Sequence, residues 1–132
     1  MTASNGLANW HRVIENGSNP AELAAIIHKD AVFHSPVVHT PQQGRDLVVA
    51  YLAAAGQTLG NDSFTYVREL VDGENAMLEF ETQMDGIHVN GADIIRFDAN
   101  GMITDFKVMV RPLKAVNKVW EQMAAMLEAM KA

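Results

Sequence analysis

The sequence contains no cysteine among its 132 residues. This absence excludes disulfide bonds, thiolate metal sites and cysteine nucleophiles together. No apolar run approaches the roughly 18 residues that a membrane-spanning helix needs. The N-terminus also lacks the basic start and apolar core of a secretory signal. We therefore expect a cytoplasmic protein with no membrane partner.

Basic residues are few, since 10 Lys and Arg stand against 16 Asp and Glu for a formal net charge of −6. No basic cluster is present, so a nucleic acid is not an expected partner. Hydrophobic residues make up 48% of the chain and charged residues 20%, which is typical of a globular domain. No repeat or linker divides the sequence, and residues 1–132 are predicted to form one domain.

The first half of the chain has the periodicity of helices. Apolar residues recur at helical spacing from Leu7 to Glu15, where Asn16-Gly17 ends the segment. Asn19-Pro20 has the sequence of a helix cap followed by a first-turn proline. The pattern predicts helices over 7–15, 19–30 and 45–59, a short strand over 31–35 that Pro36 stops, and a loop over 37–44.

After Gly60 the periodicity changes to that of strands. Turn sequences such as Asp85-Gly86 separate four segments, and strands joined this tightly pair antiparallel. In the second of them, Ala76, Leu78, Phe80, Thr82 and Met84 share one face, which we expect to be buried. The predicted strands span 63–71, 76–84, 88–98 and 102–110, and an apolar seam from 113 to 130 predicts a terminal helix.

Helices followed by an antiparallel meander predict an α+β fold, in which helices lie across one face of a curled sheet and form a cone with an apolar interior. Residues 30–44, DAVFHSPVVHTPQQG, and residues 93–103, DIIRFDANGMI, resemble the NTF2-like superfamily of ketosteroid isomerases and SnoaL-type polyketide cyclases. The order of elements over about residues 5–111 is also similar. The terminal helix extends beyond the isomerase pattern, with a lid, a core element and a dimer contact as its alternative roles.

The resemblance implies positions for catalytic groups. Isomerases of this fold use a carboxylate base after the first strand, with a tyrosine and a protonated aspartate as the oxyanion hole. In this sequence Asp93 falls on the aspartate position, His11 on the tyrosine position and Ser35 on the base position. A serine with no evident activating base does not abstract a proton from an enone. The usual mechanism of steroid isomerisation is therefore not supported.

Asp93 is the first candidate for acid–base chemistry, because strand alternation places it on the apolar face with Gly91, Ile95 and Phe97. Burial raises the pKa of a carboxyl group and suits it to this chemistry near neutral pH. The alternative is a carboxylate held by structural partners. His11 pairs with Asp93 if it points into the cone, but only one of His11 and Trp10 can do so.

Ser35 and His34 are further candidates at the end of the first strand. Ser35 either binds a ligand or water, or caps the turn before Pro36. His34 lies on the opposite face by alternation and acts as a base only if a bulge turns it inward. No His or Asp spacing indicates a metal site, and no glycine-rich phosphate loop indicates a nucleotide. We therefore expect neither metal nor organic cofactor.

The cone interior is predicted to bind a small apolar molecule with a carbonyl or hydroxyl group. The leading hypothesis is a SnoaL-like lyase or isomerase that needs no cofactor, which includes isomerases, dehydratases and cyclases. We expect it to form a homodimer through the outer face of the sheet. The alternatives are a non-catalytic carrier of an apolar ligand and a dimeric interaction protein with a filled cone. The predicted wall consists of Trp10, Phe33, Tyr51, Leu78, Phe80, Phe97, Phe106, Val108 and Val110.

Overall fold

Four helices and six strands follow one another in the computed structural model, which describes the backbone of residues 2–130. The helices are α1 (Thr2–Glu15), α2 (Pro20–Ile26), α3 (Arg45–Leu59) and α4 (Leu113–Met130). The strands are β1 (Ile27–His34), β2 (Gln42–Gln43), β3 (Thr65–Asp72), β4 (Asn75–Met84), β5 (Ile87–Phe97) and β6 (Ile103–Arg111).

The six strands form a curved, unclosed sheet in the order β2-β1-β6-β5-β4-β3. The meander from β3 to β6 is antiparallel throughout, as the tight turns predict. Asp85 and Gly86 both have a positive φ, 51° and 79°, and this geometry joins β4 to β5 with the twist that paired strands require. The α+β prediction and the terminal helix are confirmed.

The second helix and first strand depart from the sequence prediction. Helix α2 begins as expected, because Asn19 Oδ1 accepts hydrogen bonds from the backbone N–H groups of Ala21 and Glu22. It ends at Ile26 instead of near Asp30, and β1 begins at Ile27. Ile27 is fully buried and pairs in parallel with Ile103 of β6. This long-range pairing overrides the local helical pattern.

A two-residue strand, β2, lies within the predicted loop. Gln42 and Gln43 pair antiparallel with Phe33 and Val32 of β1. Gly44 then donates its backbone N–H to the carbonyl of Ala31 before α3 begins at Arg45. The start and end of α3 agree with the prediction. None of the described helices is both long and apolar enough to cross a membrane.

The core lies between the concave face of the sheet and the helices. On β4 the alternate residues Ala76, Leu78, Phe80, Thr82 and Met84 are all buried, which confirms the predicted inward face. Asp93 lies on the inward face of β5, where its Cα partners are Leu78 of β4 and Val108 of β6. The sheet therefore places a carboxyl group among apolar side chains.

Candidate functional site

A cavity of about 230 Å³ lies between the concave face of the sheet and helices α1, α3 and α4. Its wall is mostly apolar, and Leu52 of α3 and Val119 and Met123 of α4 close it opposite the sheet. Among the described residues, five side chains with hydroxyl, amide, phenol or carboxyl groups interrupt this apolar wall. They are Ser18, Ser35, Asn61, Tyr66 and Asp93.

Asp93, Tyr66 and Trp10 form a hydrogen-bonded chain along one side of the cavity. Tyr66 Oη donates to Asp93 Oδ2 at 2.6 Å, and Trp10 Nε1 donates to Tyr66 Oη at 3.0 Å. Tyr66 lies on β3 opposite Phe80 of β4, so its side chain reaches across β4 to the carboxyl group on β5. This chain holds Oδ2 and leaves Oδ1 of Asp93 without a hydrogen bond among the described residues.

The surroundings of Asp93 raise its pKa from 3.8 to about 7, chiefly because burial disfavours the charged carboxylate. The hydrogen bond from Tyr66 acts in the opposite direction. Burial and the neighbouring carboxylate raise the pKa of Tyr66 well above its ordinary value. Tyr66 therefore remains a hydrogen-bond donor at neutral pH, whereas Asp93 exchanges between acid and carboxylate.

Trp10, and not His11, occupies the inward position on α1. Trp10 is 3% exposed and lines the cavity. His11 lies outside the cavity lining, where Nε2 pairs with Glu69 Oε1 and the ring meets the edge of Tyr66 at a centroid distance of 5.6 Å. Helical spacing admits only one of two adjacent residues to the interior, and Trp10 takes that position. His11 therefore does not pair with Asp93, and Tyr66 is the partner of Asp93 instead.

The residues at the end of β1 separate onto two faces. Ser35 lines the cavity, and its Oγ also accepts a hydrogen bond from the backbone N–H of Val37 at 3.1 Å. It thus combines a turn cap with a position at the cavity. His34 lies outside the cavity lining, and its Nε2 is 2.9 Å from Asp105 Oδ1 on β6. Regular strand alternation sends it away from Phe33, because the register shift of β1 against β6 lies before Val32 and the pairing is regular from there to His34.

Five of the nine predicted wall residues line the cavity: Trp10, Phe33, Phe80, Phe106 and Val108. The other four, Tyr51, Leu78, Phe97 and Val110, lie outside the cavity lining.

These four residues have inward or core positions that the cavity does not reach. Phe97 and Leu78 are fully buried in the core, and the Phe97 ring packs so closely against Gly6 of α1 that a side chain at Gly6 would overlap it. Tyr51 packs its ring 5.3 Å from that of Phe33. Val110 is half-buried near the end of β6. Strand alternation predicts which residues face inward, but it does not predict which of them line the cavity and which pack against the helices in the core.

Sequence reasoning missed Tyr66. Every other residue of β3 is exposed, and Tyr66 alone is half-buried. The sequence does contain a signal for Tyr66, which is an aromatic residue in a strand with many polar residues. A residue that pairs with the inward-facing Phe80 must share the inward face. Predicting this required the register of β3 against β4, which local sequence does not give.

No cluster of three or more His, Asp or Glu side chains within the described residues has the arrangement to hold a metal ion.

A family model described as SnoaL-like domain matches residues 7–106 of the chain. The fold is also similar to a steroid delta-isomerase from Pseudomonas aeruginosa, with 36% identity, a TM-score of 0.91, and coverage of 98% of this chain and 93% of that chain. An uncharacterised protein with a cystatin-like fold from Silicibacter pomeroyi DSS-3 has 29% identity and a TM-score of 0.83, with coverage of 91% and 83%.

An NTF2-like protein of unknown function from Mesorhizobium loti has 20% identity and a TM-score of 0.71, with coverage of 84% of this chain and 92% of that chain. At that identity it supports the fold alone. Among curated proteins, none matches this chain.

Proposed function

Because the chain belongs to the SnoaL-like domain family within the NTF2-like superfamily, we propose that it binds a small apolar carbonyl or hydroxyl compound and acts on it as an acid–base isomerase or lyase. The observation that carries the proposal is Asp93. Asp93 lines an apolar cavity, its Oδ1 has no hydrogen bond among the described residues, and burial raises its pKa to about 7. A group with such a pKa accepts and returns protons near neutral pH.

The proposed reaction uses Asp93 in both of its protonation states. As a carboxylate it removes a proton from the carbon next to a carbonyl group, so the C–H bond breaks, an O–H bond forms and the electron pair moves onto the carbonyl oxygen. As a carboxylic acid it returns the proton to a carbon of the same enolate. Atoms and charge balance, and no oxidant or reductant takes part.

Tyr66 and His11 are proposed to position Asp93. The Tyr66 hydroxyl fixes Oδ2 and aims Oδ1 at the cavity, while His11 supports the Tyr66 ring by its edge contact. Ser35 is proposed to orient the ligand, since its hydroxyl hydrogen stays available while Oγ accepts from Val37. The His34–Asp105 pair lies outside the cavity lining, and we assign it no part in the reaction.

The steroid delta-isomerase neighbour supports an apolar ring compound as the ligand class. The residues of this chain depart from the usual steroid-isomerase pattern, since Ser35 stands at the position that the resemblance assigns to a base. We therefore propose acid–base chemistry on a ring compound through Asp93, without assigning a steroid as its substrate.

A thermal-shift screen against apolar ketones, enones, epoxides and polycyclic phenols tests the proposal. A ligand at 100 times its Kd adds about 2.7 kcal/mol to the free energy of unfolding, which raises Tm by several degrees in a domain of this size. We expect hits with the wild type that Asp93→Asn weakens. Asp72→Asn removes the same charge from the exposed β3–β4 hairpin and serves as the control.

A third variant separates the alternatives. Ala55 is half-buried on α3 and lines the cavity, so Ala55→Phe fills cavity space from α3 while keeping the Asp93 carboxyl group. Loss of all hits in Ala55→Phe places the ligand in the cavity. Hits that Asp93→Asn leaves unchanged would instead favour a carrier of apolar ligands. No hit with the wild type would contradict the proposal and favour an interaction protein.

We also propose that the chain forms a homodimer through the outer face of its sheet. Met77, Ala92, Ile94 and Met109 form an apolar patch there, because Met77 pairs with Ile94 and Ala92 pairs with Met109. Ile94 is 38% exposed and Met109 55% exposed. Burial of this outer patch against a second copy would remove apolar surface from water.

A further inference from the structure

Ser18 is a buried polar residue whose hydroxyl has no hydrogen bond among the described residues. It is 5% exposed and belongs to the cavity lining. Its oxygen is not sealed in protein, since no described side-chain oxygen or nitrogen is both inaccessible and unpartnered. Buried hydroxyl groups are nearly always hydrogen-bonded, so a free one that faces a cavity indicates that its partner is a ligand or water.

The backbone at the end of α1 fixes the position of Ser18. Gly17 donates its N–H to the carbonyl of Ile14, and Ser18 donates its N–H to that of Val13, each at 3.0 Å. This pair of bonds is a Schellman motif, in which the position of Ser18 commonly carries an apolar residue. Ser18 instead places a hydroxyl there, with a left-handed φ of 57° that few non-glycine residues adopt.

Helix α3 holds Ser18 from the other side. A Cβ atom at Gly56 would lie 2.6 Å from both Cβ and Oγ of Ser18. The absence of a side chain at Gly56 therefore leaves the room that Ser18 occupies. Gly56 also lines the cavity, so the glycine and the hydroxyl meet at its wall.

The other polar groups of the cavity already have partners. Asn61 donates Nδ2 to the carbonyl of Gln83 and accepts at Oδ1 from Thr82. Ser35 Oγ accepts from Val37, and Tyr66 bonds both Asp93 and Trp10. Apart from the free oxygen of Asp93, Ser18 is the cavity group with the most unused hydrogen-bonding capacity among the described residues.

Ser18 lies at a different point of the cavity from Asp93. The Asp93–Tyr66 pair contacts α1 at Trp10, whereas Ser18 follows the end of α1 beyond Glu15. The stretch of α1 from Trp10 to Glu15 is roughly 7 Å long, given the rise per residue of an α-helix. Ile14, between the two points, contributes an apolar side chain to the wall.

We propose that Ser18 is a second hydrogen-bonding subsite, and that the ligand carries two polar groups separated by an apolar body, one at Asp93 and the other at Ser18. The proposal rests on the proposed function, because it requires a ligand in the cavity. It narrows the substrate class from an apolar carbonyl compound to a bifunctional one. A hydroxyl or carbonyl group remote from the reacting carbon meets the Ser18 hydroxyl.

Matched ligand pairs test the subsite by calorimetric titration. One pair is tetralone and a hydroxytetralone with its hydroxyl on the ring remote from the carbonyl. The other is naphthol and a naphthalenediol with its hydroxyls on opposite rings. We expect the wild type to bind the bifunctional member more tightly by roughly two- to tenfold, the range for one hydrogen bond. In Ser18→Ala the two members should bind equally, with the affinity for the monofunctional member unchanged.

Ser18→Gly guards against a failure to fold, and Gly56→Ala tests the position of the hydroxyl. Ser18→Gly removes the hydroxyl and suits the left-handed backbone. Gly56→Ala keeps the hydroxyl but displaces it, so both should lose the preference for the bifunctional ligands. A structural hydroxyl would lower Tm when removed, whereas we expect Ser18→Gly to leave Tm unchanged or higher because no protein hydrogen bond is lost.

The outcomes distinguish the two proposals. If the wild type, Ser18→Ala and Ser18→Gly all show the same ratio of affinities for the bifunctional and monofunctional ligands, the subsite proposal is wrong. The proposed function would still stand. Binding of none of the four compounds by the wild type would count against both. Loss of the preference in the Ser18 and Gly56 variants, with monofunctional binding retained, supports both.

Discussion

Asp93 is only 7% exposed, and it is surrounded by apolar side chains apart from Tyr66 and the chain of donors behind it. Such burial holds the proton on the carboxyl group at a pH where an exposed aspartate would have lost it. The same desolvation that makes Asp93 suitable for proton transfer also makes it costly to the folded state once it ionises. Function and stability at this residue are therefore linked through pH.

The stability of the protein should depend on pH through Asp93. The folded-state pKa is about 7 against an ordinary value of 3.8. The contribution of Asp93 to the free energy of unfolding is therefore fully present below about pH 4, where the carboxyl group is protonated, and is lost as pH rises through 7. Asp93→Asn removes this dependence. The difference in free energy of unfolding between Asp93→Asn and the wild type should shift in favour of the variant by about 3 kcal/mol as pH rises from about 5 to about 8.

Chemical denaturation of the wild type and Asp93→Asn at the two pH values measures this gain. Asp72→Asn is the control, because Asp72 is exposed and should show no comparable difference. A constant difference between the wild type and Asp93→Asn across the pH range would mean that Asp93 titrates as an ordinary surface aspartate.

Tyr66→Phe should raise the pKa of Asp93 above its wild-type value. The Tyr66 hydroxyl stabilises the carboxylate by hydrogen bonding, and removing it leaves burial to act alone. Carboxyl-carbon NMR of Asp93 across a pH titration reports the midpoint. Tyr51→Phe removes a hydroxyl outside the cavity lining and should leave it in place. An unchanged or lower midpoint in Tyr66→Phe would exclude this hydrogen bond.

At the scale of elements, α4 completes the cavity that the sheet and the other helices leave open. Val119 and Met123 contribute to its lining, and Met123 Sδ lies 3.5 Å from the hydroxyl oxygen of Thr58 on α3. Lys118 and Gln122 bond Asp85 in the β4–β5 hairpin, at 2.8 Å and 3.2 Å. The helix is thus attached both to α3 and to the sheet.

Met123→Ala should enlarge the cavity and weaken the attachment of α4. Met123 is 7% exposed, and truncating a buried methionine costs about 2 kcal/mol or more in free energy of unfolding. Denaturant titration measures the loss, with Leu113→Ala as the control at a residue of α4 that is 74% exposed. Equal effects of the two substitutions would show that α4 does not pack on the core through Met123.

The elements differ in how far local sequence predicts them. Helix α3 is bounded by Gly44 and Gly60, and both of its ends are correctly predicted. The boundary between α2 and β1 is wrong because Ile26 and Ile27 fit a helix and a strand equally well. Only the pairing of Ile27 with Ile103 decides between them.

The candidate site shows the same division between local and long-range information. Alternation along β5 was enough to place Asp93 on the inward face. Its contact with Tyr66 depends on the register of β3, β4 and β5 together. Ser18 acquires its position only when α1 and α3 come together at Gly56. Contacts of this kind join residues that are distant in sequence, and periodicity carries no information about them.

At the scale of the whole molecule, the sheet has one face toward the cavity and another that no described helix covers at Met109. The concave face supports the proposed chemistry, and the outer patch of Met77, Ala92, Ile94 and Met109 supports the proposed dimer. The two faces are separate, because successive residues of a strand point to opposite sides. Changes at the outer patch should therefore leave Asp93 in place.

Met109→Glu should convert the proposed dimer to a monomer by placing a charge in the outer patch. Sedimentation velocity measures the change, with Leu113→Glu as the control at an exposed residue outside the sheet. We expect a dimer for the wild type and the control, and a monomer for Met109→Glu. A wild-type protein that sediments as a monomer at high concentration would contradict the dimer.

Hydrogen–deuterium exchange at carbon tests the proposed chemistry most directly. Tetralone is incubated in D₂O with the wild type or Asp93→Asn, and incorporation of deuterium next to the carbonyl is followed by NMR. The wild type should accelerate exchange, and Asp93→Asn should lower that acceleration roughly a hundredfold or more, as loss of a general base does. Binding of tetralone without accelerated exchange, or equal exchange by both proteins, would contradict proton transfer by Asp93.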